Sequence, residues 1–424
     1  MKIAMFTNTY TPHVGGVAGS VQLLTDKCRE AGHEVYVVAP EFPDMPENER
    51  NVIRIPAIQN FNGSDFSVSL PVPARMRDTL SDFGPDIIHA HHPYLLGDTA
   101  LRYSAYHDLP LVFTFHTMYE KYTHYVPADS DALKRFVIEL STGFVNLCDH
   151  IIAPSTSVKE TLRDRGAESD ITVIPTGVEY DTFATGDGAA ARNEMNIPAD
   201  AFVLGHVGRL APEKNLSFLT ETVAEYLKQN PESYFLVVGD GPSREEMEVI
   251  FRAADVSDRV RFAGVKKDQA LVNSYHAMDM KVFASKSETQ GMVLAEAMAA
   301  GLPVVALKAS GVNDILKSGE NGILIEEEDR QNFQHSVTEI RNLNESEWNS
   351  WKQAIDQTAH EFSAKETSQK VFNLYEDLYE TGHKKHLDDE AWDKLMRAIK
   401  REWEIWEQRF TAGAQSITRQ KPSE

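Results

Sequence analysis

The sequence predicts an α/β protein built from two doubly wound parallel sheets that face each other across a cleft. Three observations predict it. The chain has 424 residues, more than one core usually serves, since domains hold roughly 100 to 200 residues each. Its short apolar runs fall into two separate series. Helical stretches stand between consecutive runs, as parallel strands require for their crossovers.

The first series, in residues 1–178, reads IAMF, EVYVVAP, DIIHAHH, LVFTFHT, HIIAPS and ITVIPTGV. Each run ends in polar or turn-forming residues, and ligands of open α/β sheets bind at those carboxyl ends. Asn8, His91, His116 and Ser155 are therefore site positions by placement. The second series, in residues 179–360, reads AFVLGHVGRL, YFLVVGDGP, VRFAGV, MKVFAS, LPVVAL and GILI. The Gly- and Ala-containing stretch from Tyr180 to Gly188 is expected to be the linker between them. Residues 361–383 form a closing helix expected to return to the first domain, and residues 384–424 a charged, Trp-rich helical tail. In that tail Trp392, Leu395, Met396, Ile399, Trp403, Trp406 and Phe410 share one helical face. The face is expected to bury against protein, either the chain's own body or a second subunit in a homo-oligomer, because its flanks lack the basic excess of a membrane helix.

Composition narrows the partners. Apolar residues at 42% and charged ones at 25% are ordinary for a folded chain and leave little room for disorder. A formal net charge of −22 repels polyanions, and no basic stripe offsets it, so nucleic acid is not an expected partner. Cys28 and Cys148 have neither metal-ligand spacing nor the density of a disulfide scaffold, and read as free thiols in a reducing compartment. The opening MKIAMFTNTY enters a strand directly, without a signal peptide's basic start and cleavage site. No apolar run reaches the roughly 18 to 20 residues that span a bilayer. A cytoplasmic location is expected, with any membrane contact peripheral, on the inner face.

Three stretches carry chemistry. In TPHVGGVAGS, Gly15 and Gly16 follow the first strand and precede a helix, where backbone amides can approach a phosphate. A tight turn uses such a pair equally well, and the spacing fails the dinucleotide fingerprint G-x-G-x-x-G. In GRLAPEKN, Arg209 and Lys214 follow a strand into the cleft; a forked guanidinium and a point charge suit a diphosphate, although loop cations are commonly just surface residues. In SETQGMVLAEAMAAGLPVVA, Glu288 stands just before a helix headed by Gly291, and Glu296 lies more than a turn inside it. A ligand across that N-terminus would meet Glu288, then the amides of Gly291 and Met292, then Glu296. Two unrelated acids on a solvated helix are the plain alternative, but Glu296 lies in an apolar run and needs a partner to offset its desolvation.

The ordered set of GG near residue 15, GRLAPEKN, GDGP, FAGV and the Glu-x7-Glu run ending in GLPVVA resembles the retaining GT-B glycosyltransferases of family 4. The resemblance covers about residues 1 to 380. FHTMYEKYTHYVP and LKASGVNDIL resemble the diacylglycerol glucosyltransferase branch. The resemblance implies two Rossmann-like domains, the first for the acceptor and the second for a nucleotide sugar. By the same resemblance Gly16 contacts the donor's phosphates, and Arg209 and Lys214 hold its diphosphate. Glu296 binds the ribose hydroxyls, Glu288 those of the transferred hexose, and His116 supports charge at the anomeric carbon. One departure is SGVND at Ser310 to Asp314, where many relatives carry Gly-Gly-x-x-Glu.

A histidine at a strand end is commonly a satisfied structural residue. Around His116, however, Tyr119, Tyr122, His124 and Tyr125 make a dense polar-aromatic loop suited to an acceptor. His89, His91 and His92 invite a metal reading, yet alternation turns His91 and His92 to opposite faces. No DxD run stands beside the phosphate motifs; DSD at Asp129 to Asp131 lies in the first half. No metal and no cofactor beyond the donor substrate is expected, the cations and helix amides serving instead. Retention follows from the resemblance alone.

The expected reaction moves glucose from UDP-glucose to a lipid such as diacylglycerol at the membrane surface. The alternatives are a GDP-mannose-dependent mannosyltransferase acting on phosphatidylinositol or another acceptor, a sugar-nucleotide epimerase of the same fold, and a non-catalytic nucleotide-sugar-binding module. The amphipathic stretch Ala132 to Leu147 is the candidate membrane-docking helix, with core packing its simpler explanation.

Overall fold

The computed structural model describes residues 1–13, 15–58, 68–69, 74–120, 130–286 and 288–382. Tyr122, His124, Tyr125 and the Trp-rich tail lie outside the described residues. The chain folds as two α/β domains, each with one parallel sheet.

The first domain contains β1 (Lys2–Phe6), β2 (Glu34–Pro40), β3 (Val52–Ile55), the two-residue strands β4 (Ala57–Ile58) and β5 (Val68–Ser69), β6 (Ile87–Ala90), β7 (Leu111–Thr114), β8 (His150–Ala153) and β9 (Asp170–Val173). Seven of them form a sheet in the order β3-β2-β1-β6-β7-β8-β9, and β4 pairs with β5 separately. The strand order reverses at β1, so a crevice opens between the ends of β1 and β6, where Gly16 begins the helix Gly16–Glu30. The edge strand β3 is additional to the six runs expected. Arg54 interrupts its apolar pattern and is held there by Glu49 and by the carbonyls of Pro40 and Thr11.

The second domain has β10 (Phe202–Val207), β11 (Ser233–Val238), β12 (Val260–Gly264), β13 (Met280–Phe283), β14 (Val304–Leu307) and β15 (Gly322–Ile325), ordered β12-β11-β10-β13-β14-β15. Each of its six strands coincides with one of the six apolar runs read from the sequence. The central strands are apolar on both faces, apart from buried polar residues such as Lys281 in β13, because helices cover both, with Leu236, Phe235, Val282 and Val305 fully buried.

The domains are joined at two crossings that bond to each other. Val178 N–H donates to Phe362 O at 3.0 Å, and Ala364 N–H donates to Val178 O at 2.7 Å. Gly177 permits this approach: a Cβ there would stand 2.3 Å from both Ala364 Cα and Thr367 Oγ1. After the second crossing, the helix Ala364–Gly382 packs on Gly16–Glu30. Tyr180 to Gly188, expected as a linker, is instead folded onto the second domain. Tyr180–Phe183 is a helical turn whose Tyr180 hydroxyl donates to Asp356 at 2.6 Å. Gly186 and Gly188 lie against His276 too closely for any side chain.

Both cysteines are buried free thiols. No described helix is long and apolar enough to cross a membrane. The stretch offered for docking forms the helix Asp131–Val145, capped by Ser130, whose hydroxyl accepts the Leu133 amide. Phe144 and Val145 are buried at its end, whereas Leu133, Phe136, Val137 and Leu140 remain half-buried.

Candidate active site

Two loops of the second domain, after β13 and after β14, meet the strand ends of the first. Gly291 takes a left-handed conformation with φ +79°, which turns the chain sharply into the helix Met292–Ala299. Glu288 sits in that turn. One carboxylate oxygen receives Lys214 Nζ at 3.0 Å and the other the Gly291 amide at 3.3 Å. Lys214 ends a 3-10 turn, Pro212–Lys214, in the loop after β10, and the two side chains are only 19% and 18% exposed. The amide of the N-cap residue Gly291 is thus occupied by Glu288 itself, so a ligand would share or displace that bond.

Arg209 stands in the same loop but is 52% exposed and paired with Glu213. A diphosphate would have to draw the guanidinium off that neighbouring acid. Glu296, one face of the helix further on, accepts the Tyr275 hydroxyl at 2.6 Å. Burial raises the Glu296 pKa, while the Tyr275 bond and the Lys281 charge oppose that rise. Lys281 is wholly buried in β13, its Nζ on Val207 O at 3.2 Å; desolvation lowers its pKa to about 7 despite the Glu296 charge. Tyr275 and Lys281 escaped the sequence reading. The signal available was a lysine inside the apolar run MKVF, which demands a charged partner.

Across the cleft, Gly16 opens its helix in exposed backbone, and a Cβ at that position would touch nothing within 4 Å. Among the described residues the protein's own packing therefore does not require glycine there. Ser20, one turn on, donates its hydroxyl to Gly16 O at 2.8 Å and has its Oγ 3.9 Å from Met292 Sδ, so the starts of the two helices face each other. His116, just past β7, is brought to the Glu288 loop by its own carbonyl, which accepts the Thr289 hydroxyl at 3.1 Å. Burial lowers its pKa to about 4, so the ring is uncharged at neutral pH.

Not every strand-end residue serves the site. Asn8 is spent on structure, donating to Tyr94 O and accepting the Leu96 amide. Ser155 caps the helix Thr156–Asp164 by accepting the Val158 amide. Tyr119 packs edge-on against Tyr94 and Phe115, with its hydroxyl buried. His89 and His92 likewise have structural partners: His89 bonds Tyr375 and Thr114, and His92 bonds the Asn8 amide. The SGVND departure also has a role in the fold. Asp314 accepts the Thr156 amide, and Ser310 O accepts the Ser157 hydroxyl at 2.6 Å, tying this loop to the first domain.

Comparison with known proteins bears on this arrangement. The model of Glycosyltransferase Family 4 matches residues 14–182, and that of Glycosyl transferases group 1 matches residues 188–357. The chain is 30% identical over 336 residues to a GDP-mannose-dependent alpha-mannosyltransferase of Mycolicibacterium smegmatis, covering 77% of this chain and 84% of that protein. The chain belongs to the family 4 glycosyltransferases. It is 29% identical over 336 residues to the alpha-monoglucosyldiacylglycerol synthase of Acholeplasma laidlawii, covering 76% of this chain and 84% of that protein. The solved sucrose-phosphate synthase of Thermosynechococcus elongatus shares the fold, with a TM-score of 0.71 at 21% identity over 90% of this chain and 99% of that one. This glycosyltransferase is thus an enzyme of hexosyltransferase type with the GT-B fold, its two domains meeting at the Glu288 and His116 loops.

Proposed function

We propose that this glycosyltransferase moves glucose from UDP-glucose to a diacylglycerol-type lipid at a membrane surface, with retention at the anomeric carbon and without a metal ion. The reading is carried by one juxtaposition. The half-buried Lys214–Glu288 pair heads the helix that holds Glu296, and its loop is bonded across the cleft to His116.

In this reading Lys214 leaves Glu288 for the diphosphate, with Arg209 closing from the exposed side. Together with the amides of Gly291 and Met292 they stabilise the charge that develops on the departing nucleotide. Glu288, released from the lysine, takes the hydroxyls of the hexose. Glu296 keeps one oxygen on Tyr275 and offers the other to the ribose. Gly16 admits the phosphates from the opposite wall. Glucose and diacylglycerol are supported by the names of the relatives in Acholeplasma laidlawii and Streptococcus pneumoniae, both alpha-monoglucosyldiacylglycerol synthases.

GDP-mannose is the second reading, because three GDP-mannose-dependent mannosyltransferases are similar at 26% to 30% identity. The deciding experiment is a panel of UDP-glucose and GDP-mannose, each with and without diacylglycerol in mixed vesicles. Glycolipid formed only from UDP-glucose supports the proposal. Product from GDP-mannose alone supports the second reading. Conversion of a nucleotide sugar with no acceptor present would make the chain an epimerase and overturn both.

A further inference from the structure

Three histidine rings lie in a row behind the donor loop. His89 is in β6, His91 follows its end and His116 follows the end of β7. The His89 and His91 rings are 4.1 Å apart, and those of His91 and His116 are stacked at 5.4 Å. His89 is fixed from both sides, its Nδ1 on the Tyr375 hydroxyl at 2.6 Å and its Nε2 on the Thr114 hydroxyl at 2.7 Å. Tyr375 belongs to the helix Ala364–Gly382, so the last helix of the described chain braces the row.

His91 is 1% exposed, and among the described residues its side chain makes a single hydrogen bond, between Nδ1 and His116 Nε2 at 3.1 Å. Its own Nε2 is buried with no partner among the described residues. Burial lowers the pKa of both rings, so each carries one proton at neutral pH. Only two arrangements fill the bond between them. If His116 donated from Nε2, the His91 proton would stand on Nε2 as a buried N–H without an acceptor. In the reverse arrangement His91 donates from Nδ1, and its Nε2 is left as a bare lone pair. Orphaned buried N–H groups are the rarer defect, so the second arrangement is favoured.

We infer that His91 is a positioning residue: its Nδ1–H donates to His116 Nε2 and holds His116 with its proton on Nδ1, the nitrogen left for the bound sugar. The inference rests on the reading of His116 as the residue beside the reacting hexose. It makes His116 a neutral hydrogen-bond donor to a sugar oxygen, and no proton changes hands between the two rings. The HAHH run thus serves the site through its third position, while its first anchors the row.

The test uses the full chain with nitrogen-labelled histidine. In the native spectrum His116 should show a protonated Nδ1 and a bare Nε2, assigned by the signals lost in His116→Gln. His91→Leu should mix the two tautomers and lower kcat by about 10- to 100-fold with the donor KM nearly unchanged, the cost of a misplaced reacting group. His91→Asn supplies an amide N–H near the lost Nδ1–H and should restore both the tautomer and most of the turnover. A native His116 protonated on Nε2 overturns the inference, and so does wild-type kcat in His91→Leu. A kcat loss accompanied by a lower melting temperature and an unchanged tautomer would make His91 merely structural. His116→Ala is assayed in parallel. Full turnover in that variant would remove His116 from the reacting sugar, while the nitrogen spectrum would still decide whether His91 sets its tautomer.

Discussion

Truncating Lys214 and Glu288, singly and together, tests whether they act as one unit. Lys214 Nζ is 3.0 Å from Glu288 Oε2, and each side chain is less than a fifth exposed. The pair lies between an exposed ion pair, worth roughly 0 to 1 kcal/mol, and a buried one, whose breaking costs about 3 to 5 kcal/mol. In the proposed function its larger value is catalytic. There each residue contacts the donor, and losing one preorganised contact typically costs about 100-fold in turnover, or roughly 2.7 kcal/mol. Lys214→Ala and Glu288→Ala should each fall by that amount. The double variant should fall by about 1,000-fold rather than the 10,000-fold of independent sites, a coupling near 1.4 kcal/mol, because each truncation already disorders the other residue. The assay is steady-state turnover at saturating donor, with melting curves as a control. Near-wild-type turnover in either single variant, or strict additivity in the double, would refute the reasoning.

Gly177→Ala should destabilise the enzyme by about 2 to 4 kcal/mol, since its Cβ would strike Ala364 Cα at 2.3 Å and strain the Ala364 bond to Val178; calorimetry showing an unchanged melting temperature would contradict the packed crossing. Acid should destabilise the fold steeply. Burial holds His89 and His92 near a pKa of about 3 and His116 near about 4, against about 6.5 unfolded. Between those values the unfolded chain binds the extra protons, so each ring's stabilisation is complete above about pH 6.5 and is lost towards pH 4 at up to about 1.4 kcal/mol per pH unit; denaturant midpoints flat across that range would count against the buried row. Tyr275→Phe frees the second oxygen of Glu296 and should raise the donor KM several-fold, by about 1 kcal/mol of lost orientation, while kcat changes less. Activity should persist in EDTA, and a loss restored by magnesium or manganese would contradict the proposed metal-free chemistry.

Much of the fold can be read from the sequence because a buried parallel strand is mostly apolar on both faces, and the six runs of the second domain keep that pattern despite Lys281 in β13 and Arg261 in the edge strand β12. β3 escapes that rule. An edge strand is half solvated and carries Arg54, so VIRI has no more signal than a loop. The stretch Tyr180 to Gly188 misleads in the opposite direction: its glycines mark close packing against His276 rather than freedom. In the site, the acid spacing around Gly291 points to the helix N-terminus because both carboxylates are local to it. The supports of those acids come from other strands and helices. Tyr275 and Lys281 reach Glu296, and Tyr375 reaches His89 across 286 positions, so no local pattern joins them.

The cross-cleft contacts also imply how closure and chemistry are joined. Gly311 N–H donates to Glu288 O at 3.0 Å, and a Cβ on Gly311 would stand 2.1 Å from Gln290 N, so the SGVND loop and the donor loop are packed as one body. That body touches the first domain through Thr289 to His116, Gln290 to Thr176, Ser310 to Ser157 and Asp314 to Thr156. All four contacts are polar, and each exchanges against water for a net of about 0.5 to 1.5 kcal/mol. Their sum is a few kcal/mol, within reach of the differential affinity of a donor that touches both walls. The Glu288 loop and the loop that carries His116 are therefore held together through these contacts as a set, not through any one of them.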